Sequence, residues 1–247
     1  MTQLLIIYTL SWANPQSHTY HIAIESPTSG SEYTEFQLPR WRPGRYILQD
    51  YAAAVSNFKA TAEGQTLRFE KLDGSRWRVH HPGYEGTLKI SYDYYANVTD
   101  AGSSVLNEEM AYVNFVNCMM YDPERIDDAV ELHVPSLTDE MKIATQLERD
   151  EANREVFRAE SYHKLADSPT IFSEKLTQFE FKEGDVNYRL HFAGNYGAEP
   201  GDEEVLIDML RKTIREQAAV FGGVPSELET YDFIYLLVPF FYRHAVE

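Results

Sequence analysis

Short runs of alternating apolar and polar residues, separated by turn residues, fill the chain between residues 4 and about 189. The alternation is cleanest at residues 18–24 and 87–94. A period of two sends successive side chains to opposite faces of a strand, so that one face can be buried while the other meets water. The chain also contains 17 Tyr and 13 Phe, which favour pleated, half-buried surfaces. The sequence therefore predicts a mainly β protein, with an antiparallel β-sandwich as its N-terminal domain.

Two turns have distinct sequence signatures. Asp73-Gly74 lies between two short strand-like runs and predicts a type I′ hairpin turn, because both central positions of that turn have positive φ. Farther upstream, the segment at residues 38–46 reads Leu-Pro-Arg-Trp-Arg-Pro-Gly-Arg-Tyr. Pro43 fixes φ and Gly44 accepts the positive φ that follows, so a strand should end there in a rigid corner.

Trp41 and Arg45 are the substrate-binding candidates in this corner. Trp41 is flanked by arginines, which could stack on its ring or bind a carboxylate. We predict instead that the corner packs on a neighbouring domain and buries Trp41, since aromatic side chains beside Pro-Gly turns commonly serve as packing contacts. The alternative is a corner that lines a substrate cleft.

One helix and one strand follow the β-rich part. Residues 202–221 begin with three acidic residues, continue with apolar residues at helical spacing, and stop before Gly222-Gly223. Residues 231–238 predict a buried strand that ends at Pro239. The Glu-Pro-Gly segment at 199–201 is a plausible linker, so we predict two domains, residues 1–198 and 199–247.

The charge balance argues against two classes of partner. The net charge is −17, from 39 acidic and 22 basic residues. Nucleic acids and anionic membranes require clustered Lys and Arg, so neither is expected to bind. No apolar run reaches the roughly 18 residues that span a bilayer. Residues 1–8 lack the basic start of a signal peptide and predict a first strand, which favours the cytoplasm, with the periplasm as the alternative.

No residue pattern in the chain predicts a complete catalytic or metal site. His18 and His21 fall on opposite faces of a predicted strand, which makes them poor co-ligands for a metal. Cys118 is the single cysteine and has no activating base beside it, so we expect it to be buried and structural. Neither a nucleophile elbow nor a phosphate-binding loop is present. We predict no catalytic residue, metal ligand or bound cofactor within this chain.

Three segments together resemble the glycyl aminopeptidase family of zinc metalloproteases, whose members usually also carry a PDZ domain. Residues 39–46 match its P-x-W-x-P-G-x-Y signature. Residues 165–169 match L-x-D-S-P, and residues 219–225 with 231–233 match the FG-x-x-P…Y-x-F approach to the catalytic domain. The resemblance implies that the helix and strand begin an α/β thermolysin-like catalytic domain.

The resemblance also implies an activity for a longer parent protein. Such a protein would use a zinc-activated water to remove an N-terminal glycine or other small residue from a peptide substrate. Its His-Glu-x-x-His motif is missing from these 247 residues, so we expect the chain alone to be inactive. Glu247 occupies the place of a carboxylate that holds the substrate's free amine; the alternative is a disordered terminal residue.

Two further expectations concern partners. The helix and strand should lack partners within the chain and bury their apolar faces against a second copy, giving self-association. The alternative to a peptidase fragment is a self-sufficient β-sandwich binding or interaction module. Its ligand face would then be formed around Trp12, Trp41 and Trp77.

Overall fold

The computed structural model describes residues 5–28, 30–98, 102–194 and 201–237. The strands in chain order are β1 (Leu5–Ser11), β2 (Thr19–Pro27), β3 (Tyr33–Gln37), β4 (Val55–Ala62), β5 (Gln65–Thr66), β6 (Phe69–Lys71), β7 (Arg76–His80), β8 (Thr87–Tyr95), β9 (Val105–Leu106), β10 (Ala111–Val113), β11 (Ala129–His133), β12 (Lys142–Ala144), β13 (Glu148–Arg149), β14 (Val156–Ala159), β15 (Thr170–Ser173), β16 (Thr177–Glu183), β17 (Val186–Ala193) and β18 (Thr230–Leu236). The helices are α1 (Phe115–Cys118), α2 (Tyr162–Ala166) and α3 (Asp202–Phe221). None of the described helices is long and apolar enough to cross a membrane.

The largest sheet has eight strands in the order β13-β14-β11-β1-β2-β8-β4-β5. Its pairs are antiparallel except for β1 and β11. In β8 the alternate residues Leu88, Ile90, Tyr92 and Tyr94 are buried, as the period of two predicts. Strand β2 alternates in the same way until Ala23, which is also buried.

Two smaller sheets, β12-β15-β10-β9 and β3-β7-β6, contribute to the same core as the large one. Tyr20, Phe36 and Phe172 come from the three different sheets and are all fully buried. The predicted mainly β architecture with antiparallel sheets is thus confirmed. Such a core of large aromatic side chains removes much apolar surface from water, which is the main favourable contribution to folding.

Three buried tyrosines fix the backbone of residues 118–120. The hydroxyl groups of Tyr92, Tyr162 and Tyr8 donate to the carbonyl oxygens of residues 118, 119 and 120, at 2.7, 2.9 and 2.9 Å respectively. Burial raises the pKa of each of these phenols. They therefore remain neutral donors, and the polar backbone of this segment is satisfied inside the core.

The hairpin between β6 and β7 forms where expected, but its turn is of another kind. Gly74 is not among the glycines with positive φ, so the turn is not type I′. Instead the Asp73 carboxylate accepts from the backbone N–H groups of Ser75 and Arg76 at 2.8 and 3.0 Å. The side chain of Asp73 replaces a backbone turn, an arrangement that Asp often adopts.

A three-stranded sheet, β16-β17-β18, lies at the C-terminal end of the described chain. Strand β18 runs parallel to β17 along its whole length, and apolar residues of α3 pack on one face of the sheet. The predicted limits of α3 agree with the observed ones, whereas Val238 and Pro239 lie outside the described residues. The expectation that this helix and strand lack partners within the chain is wrong, because β17 supplies them.

Candidate functional site

The connection between β3 and the next strand forms an exposed loop at residues 40–49, here called the Trp41 loop. Its base is anchored, because the Gln49 N–H donates to the Arg40 carbonyl at 2.8 Å. Just before the loop, Leu38 is buried and its N–H donates to the Ser75 carbonyl at 3.0 Å. A short chain segment closed on itself in this way projects from the sheets with both ends fixed.

The tip of the loop is the turn that the sequence predicts. The Arg45 N–H donates to the Arg42 carbonyl at 3.3 Å, and Gly44 has φ of +85°. Pro43 precedes this glycine, which gives the Pro-Gly pair expected at the centre of a type II turn. The turn hydrogen bond and the Pro-Gly pair together fix the backbone of this tip locally.

The apolar side chains of the Trp41 loop point into water. Trp41 is 52% exposed and Tyr46 is 97% exposed, and Ile47 and Leu48 are also exposed. The predicted burial of Trp41 is therefore wrong for the described residues, whereas packing of the corner on a further domain stays a prediction. The physical reason is that the core beneath is already filled by Leu38, Phe36 and Trp77, while the turn satisfies its own backbone.

The charge of the Trp41 loop is opposite to that of the chain. Arg40, Arg42 and Arg45 lie within it, and no acidic residue occurs between residues 39 and 49. Arg40 is exposed, whereas Arg42 and Arg45 are half-buried. Apolar side chains beside guanidinium groups suit a ligand with both apolar surface and carboxylates. The two predicted binding residues thus lie in the same loop, Trp41 exposed and Arg45 half-buried.

The L-x-D-S-P segment ends α2 and lies in the core region rather than in the Trp41 loop. Ser168 is fully buried, and its hydroxyl donates to the Lys164 carbonyl at 2.7 Å. Asp167 is exposed, and its carboxylate has no hydrogen bond to any described residue. At the end of α2 it is therefore the Ser168 side chain, and not that of Asp167, that bonds the helix backbone.

The described residues do not fit a zinc site. No group of three or more His, Cys, Asp and Glu side chains is placed to hold a metal in the part of the chain that the structure covers. Cys118 is fully buried as predicted, and burial raises the pKa of its thiol far above the ordinary value. Glu247 lies outside the described residues, so its predicted contact with a substrate amine stays a prediction.

A buried polar cluster between β17 and β18 was not predicted from the sequence. Asp232 of β18 lies 2.5 Å from both His191 Nε2 and Arg189 Nη2 on β17, and the Gln146 amide donates to the same carboxylate. Burial of Asp232 acts to raise its pKa, but the hydrogen bonds from His191 and Arg189 outweigh this and lower it. An acidic residue within an otherwise apolar strand was the available signal, since buried charges require partners.

Comparison with known proteins places this fold. Residues 7–174 match the peptidase M61 N-terminal domain. The chain belongs to this family. The match confirms a peptidase resemblance for the sandwich, including the Trp41 loop. A search of curated proteins gives no match.

One solved structure shares the fold. An aminopeptidase N family protein from Idiomarina loihiensis superposes with a TM-score of 0.82 at 23% identity, over 94% of this chain and 39% of that one. The M61 chain therefore spans well under half of that relative's length. An M1 zinc metallopeptidase from Deinococcus radiodurans has a TM-score of 0.47 at 14% identity, covering 94% of this chain and 56% of its own. The aminopeptidase A of Legionella pneumophila has a TM-score of 0.49 at 10% identity, covering 94% of this chain and 28% of that one. Scores this low support no detailed comparison.

Proposed function

We propose that this chain is the N-terminal, non-catalytic part of a zinc aminopeptidase that removes an N-terminal glycine or other small residue from peptides. The match of residues 7–174 to the M61 N-terminal domain carries the proposal. The zinc ligands would lie in sequence that follows the described residues, which offer no metal-binding group of their own. The parent would carry a PDZ domain, as the sequence resemblance implies, and we further propose the cytoplasm as its compartment.

In this proposal the Trp41 loop lies beside the substrate cleft and contacts the peptide. Its support is the exposure of Trp41 and Tyr46 on a loop whose base and tip are both hydrogen-bonded. A rigid exposed aromatic side chain loses little conformational entropy on binding, which favours its use in recognition. Arg45 would contact a carboxylate or carbonyl group of the peptide, and Glu247 would hold its free amine.

Activity measurements on two proteins test the proposal. The 247-residue chain, loaded with zinc, should release no amino acid from peptides that begin with Gly or Ala. A longer protein that continues beyond Glu247 should release them, and a chelator should abolish the release. Enzyme-like turnover by the short chain would contradict the proposal, as would a longer protein without metal-dependent aminopeptidase activity.

The second candidate, a self-sufficient binding module, now depends on the Trp41 loop alone. Trp77 is buried, and Trp12 packs against Tyr20 and Phe172 with ring centroids 5.8 and 6.2 Å apart. The predicted ligand face around all three tryptophans is therefore wrong. Saturable binding of a peptide or glycan to the short chain, lost in Trp41→Ala, would favour this second candidate over the first.

A further inference from the structure

A cavity of about 530 Å³ opens between the strands β12 and β13 and the sheet formed by β16 and β17. Its volume falls within the range of roughly 300 to 1,000 Å³ that is typical of sites for small molecules. The cavity lies on the opposite face of the sheet from α3, next to the buried Asp232 cluster. It contains none of the residues of the Trp41 loop.

The lining of this cavity includes three cationic side chains. Lys142, Arg149 and Arg189 line it, in a chain whose net charge is −17. The Nε atom of Arg189 is buried and has no hydrogen-bond partner among the described residues. Arg149 is exposed on β13, and its side chain forms no ion pair or hydrogen bond with any residue that the structure describes.

The Arg189 guanidinium group and the His191 ring are held in place before any ligand arrives. Asp232 binds the Nη2 atom of Arg189 and the Nε2 atom of His191, each at 2.5 Å. The Gln178 amide in turn donates to His191 Nδ1 at 3.0 Å. A guanidinium group fixed by a buried carboxylate loses little freedom on binding, and this preorganisation favours affinity.

Other parts of the wall are acidic and apolar. Glu180 lies opposite Arg189 in the β16–β17 register, but it forms no ion pair with it, because Arg189 turns toward Asp232. Met141 and Ile143 add apolar surface. A carboxylate that faces the same space as two arginines disfavours a doubly charged anion such as phosphate, because like charges repel, and it favours a ligand that also carries a cation.

We propose that this cavity binds a zwitterionic small molecule of dipeptide size. The ligand's carboxylate would pair with Arg149 and with the exposed part of the Arg189 guanidinium group. Its ammonium group would pair with Glu180, and a side chain would pack on Met141 and Ile143. The inference rests on the lining of the cavity and does not require the chain to be part of a peptidase.

Calorimetric titration of the chain with four probes tests the proposal. Alanyl-alanine should bind saturably. Its C-terminal amide and its N-acetyl derivative should each bind at least about tenfold more weakly, since each lacks one charge-assisted hydrogen bond. Inorganic phosphate should bind more weakly than the dipeptide. Absence of saturable dipeptide binding, equal affinities for the three peptides, or tighter binding of phosphate would each overturn the proposal.

Variants locate the binding within the cavity. Arg149→Gln should weaken dipeptide binding at least about tenfold. Glu180→Gln should weaken binding of alanyl-alanine and leave the N-acetyl derivative unaffected. Arg68→Gln is the matched control, because Arg68 is an exposed arginine outside the cavity, and it should bind as the unaltered chain does. Equal affinity in the Arg149 and Arg68 variants would place any binding elsewhere and refute the site.

Discussion

The sandwich and the C-terminal sheet with its helix are built with very different densities of buried side chains. In the sandwich, Tyr20, Phe36, Phe157 and Phe172 are completely buried in one core shared by three sheets. In the C-terminal part, no residue of α3 is fully buried, although the sheet beneath it buries Tyr188 and others. Stability is therefore concentrated in the sandwich, whereas the C-terminal part depends on strand pairing and on the Asp232 cluster.

Removal of α3 and β18 should produce the largest change. Deleting the residues after Gly201 uncovers the face of β17 that presents Tyr188, Leu190 and Phe192. Exposed apolar patches of this kind drive association, so the shortened chain should bind more apolar dye and sediment as larger species than the whole chain. Its near-ultraviolet circular dichroism should retain the sandwich signal. A monodisperse shortened chain with unchanged dye binding would contradict this account.

The predicted boundary between the two domains falls inside the C-terminal sheet. The family match ends at residue 174, and β16 and β17 then join β18 in one sheet. The predicted boundary at residues 198 and 199 would separate β17 from β18, and residues 195–200 lie outside the described chain. The boundary stays a prediction, and limited proteolysis that cleaves first near residue 175 would move it upstream.

A matched pair of leucine substitutions compares the two regions directly. Leu88 is fully buried in the sandwich, whereas Leu210 of α3 is half-buried against the C-terminal sheet. Leu88→Ala should lower the free energy of unfolding by about 2 to 5 kcal/mol, the range for a buried leucine. Leu210→Ala should cost roughly 1 kcal/mol, because less apolar area is lost. Equal losses in denaturant titrations would refute the difference in packing.

Asp122 should give the sandwich a pH dependence with an unusual sign. Burial raises the pKa of its carboxyl group from the ordinary 3.8 to about 6. Between these values the folded state holds a proton that the unfolded state has lost, so stability falls as the pH rises from about 4 to 6. Asp122→Asn keeps an acceptor for the Glu124 N–H, so it should remove this slope and add about 1 to 3 kcal/mol at pH 7. Urea titrations across this pH range measure both effects.

Asp232 should give a pH dependence of stability that is opposite in sign to that of Asp122. Despite its burial, hydrogen bonds from His191 and Arg189 lower the pKa of its carboxyl group. Its stabilising contribution is then present above the ordinary pKa and is lost as the pH falls below it. Asp232→Asn should therefore reduce the pH dependence of stability below the ordinary pKa of an Asp carboxyl group. Asp122→Asn should reduce it between about pH 4 and 6. The same change of slope in both variants would mean that the two carboxyl groups do not differ as described.

The sequence predicts the fold well where one physical signal dominates. Strand β8 and helix α3 each follow one period of apolar residues, and both form where predicted. The Asp73-Gly74 turn fails in detail because the Asp side chain competes with the backbone for the same hydrogen bonds. Local pattern could not decide between these two ways of closing one hairpin.

The binding residues were harder to predict because their roles depend on distant parts of the chain. Trp41 has the same sequence context whether it packs or protrudes, and only the filling of the core by Phe36 and Trp77 decides the outcome. The partners of Asp232 come from β17 and from Gln146, which the sequence places far apart. Sequence reading thus found the turn that carries Trp41, and it missed the buried cluster altogether.

The smallest expected effect on stability tests the central claim, that the Trp41 loop serves recognition and not packing. Because Trp41 is half-exposed, Trp41→Ala should lower the free energy of unfolding by less than about 1 kcal/mol. Trp77→Ala is the matched control and should cost about 3 to 5 kcal/mol, since Trp77 is buried.

The decisive measurement combines a denaturant titration of the Trp41→Ala chain with peptidase kinetics of the longer protein carrying the same substitution. We predict a loss of unfolding free energy below about 1 kcal/mol. Together with it we predict a drop of about tenfold or more in kcat/KM, the loss of a contact worth about 1.4 kcal/mol. A midpoint lowered as far as that of Trp77→Ala, or an unchanged midpoint with unchanged kcat/KM, would contradict the account.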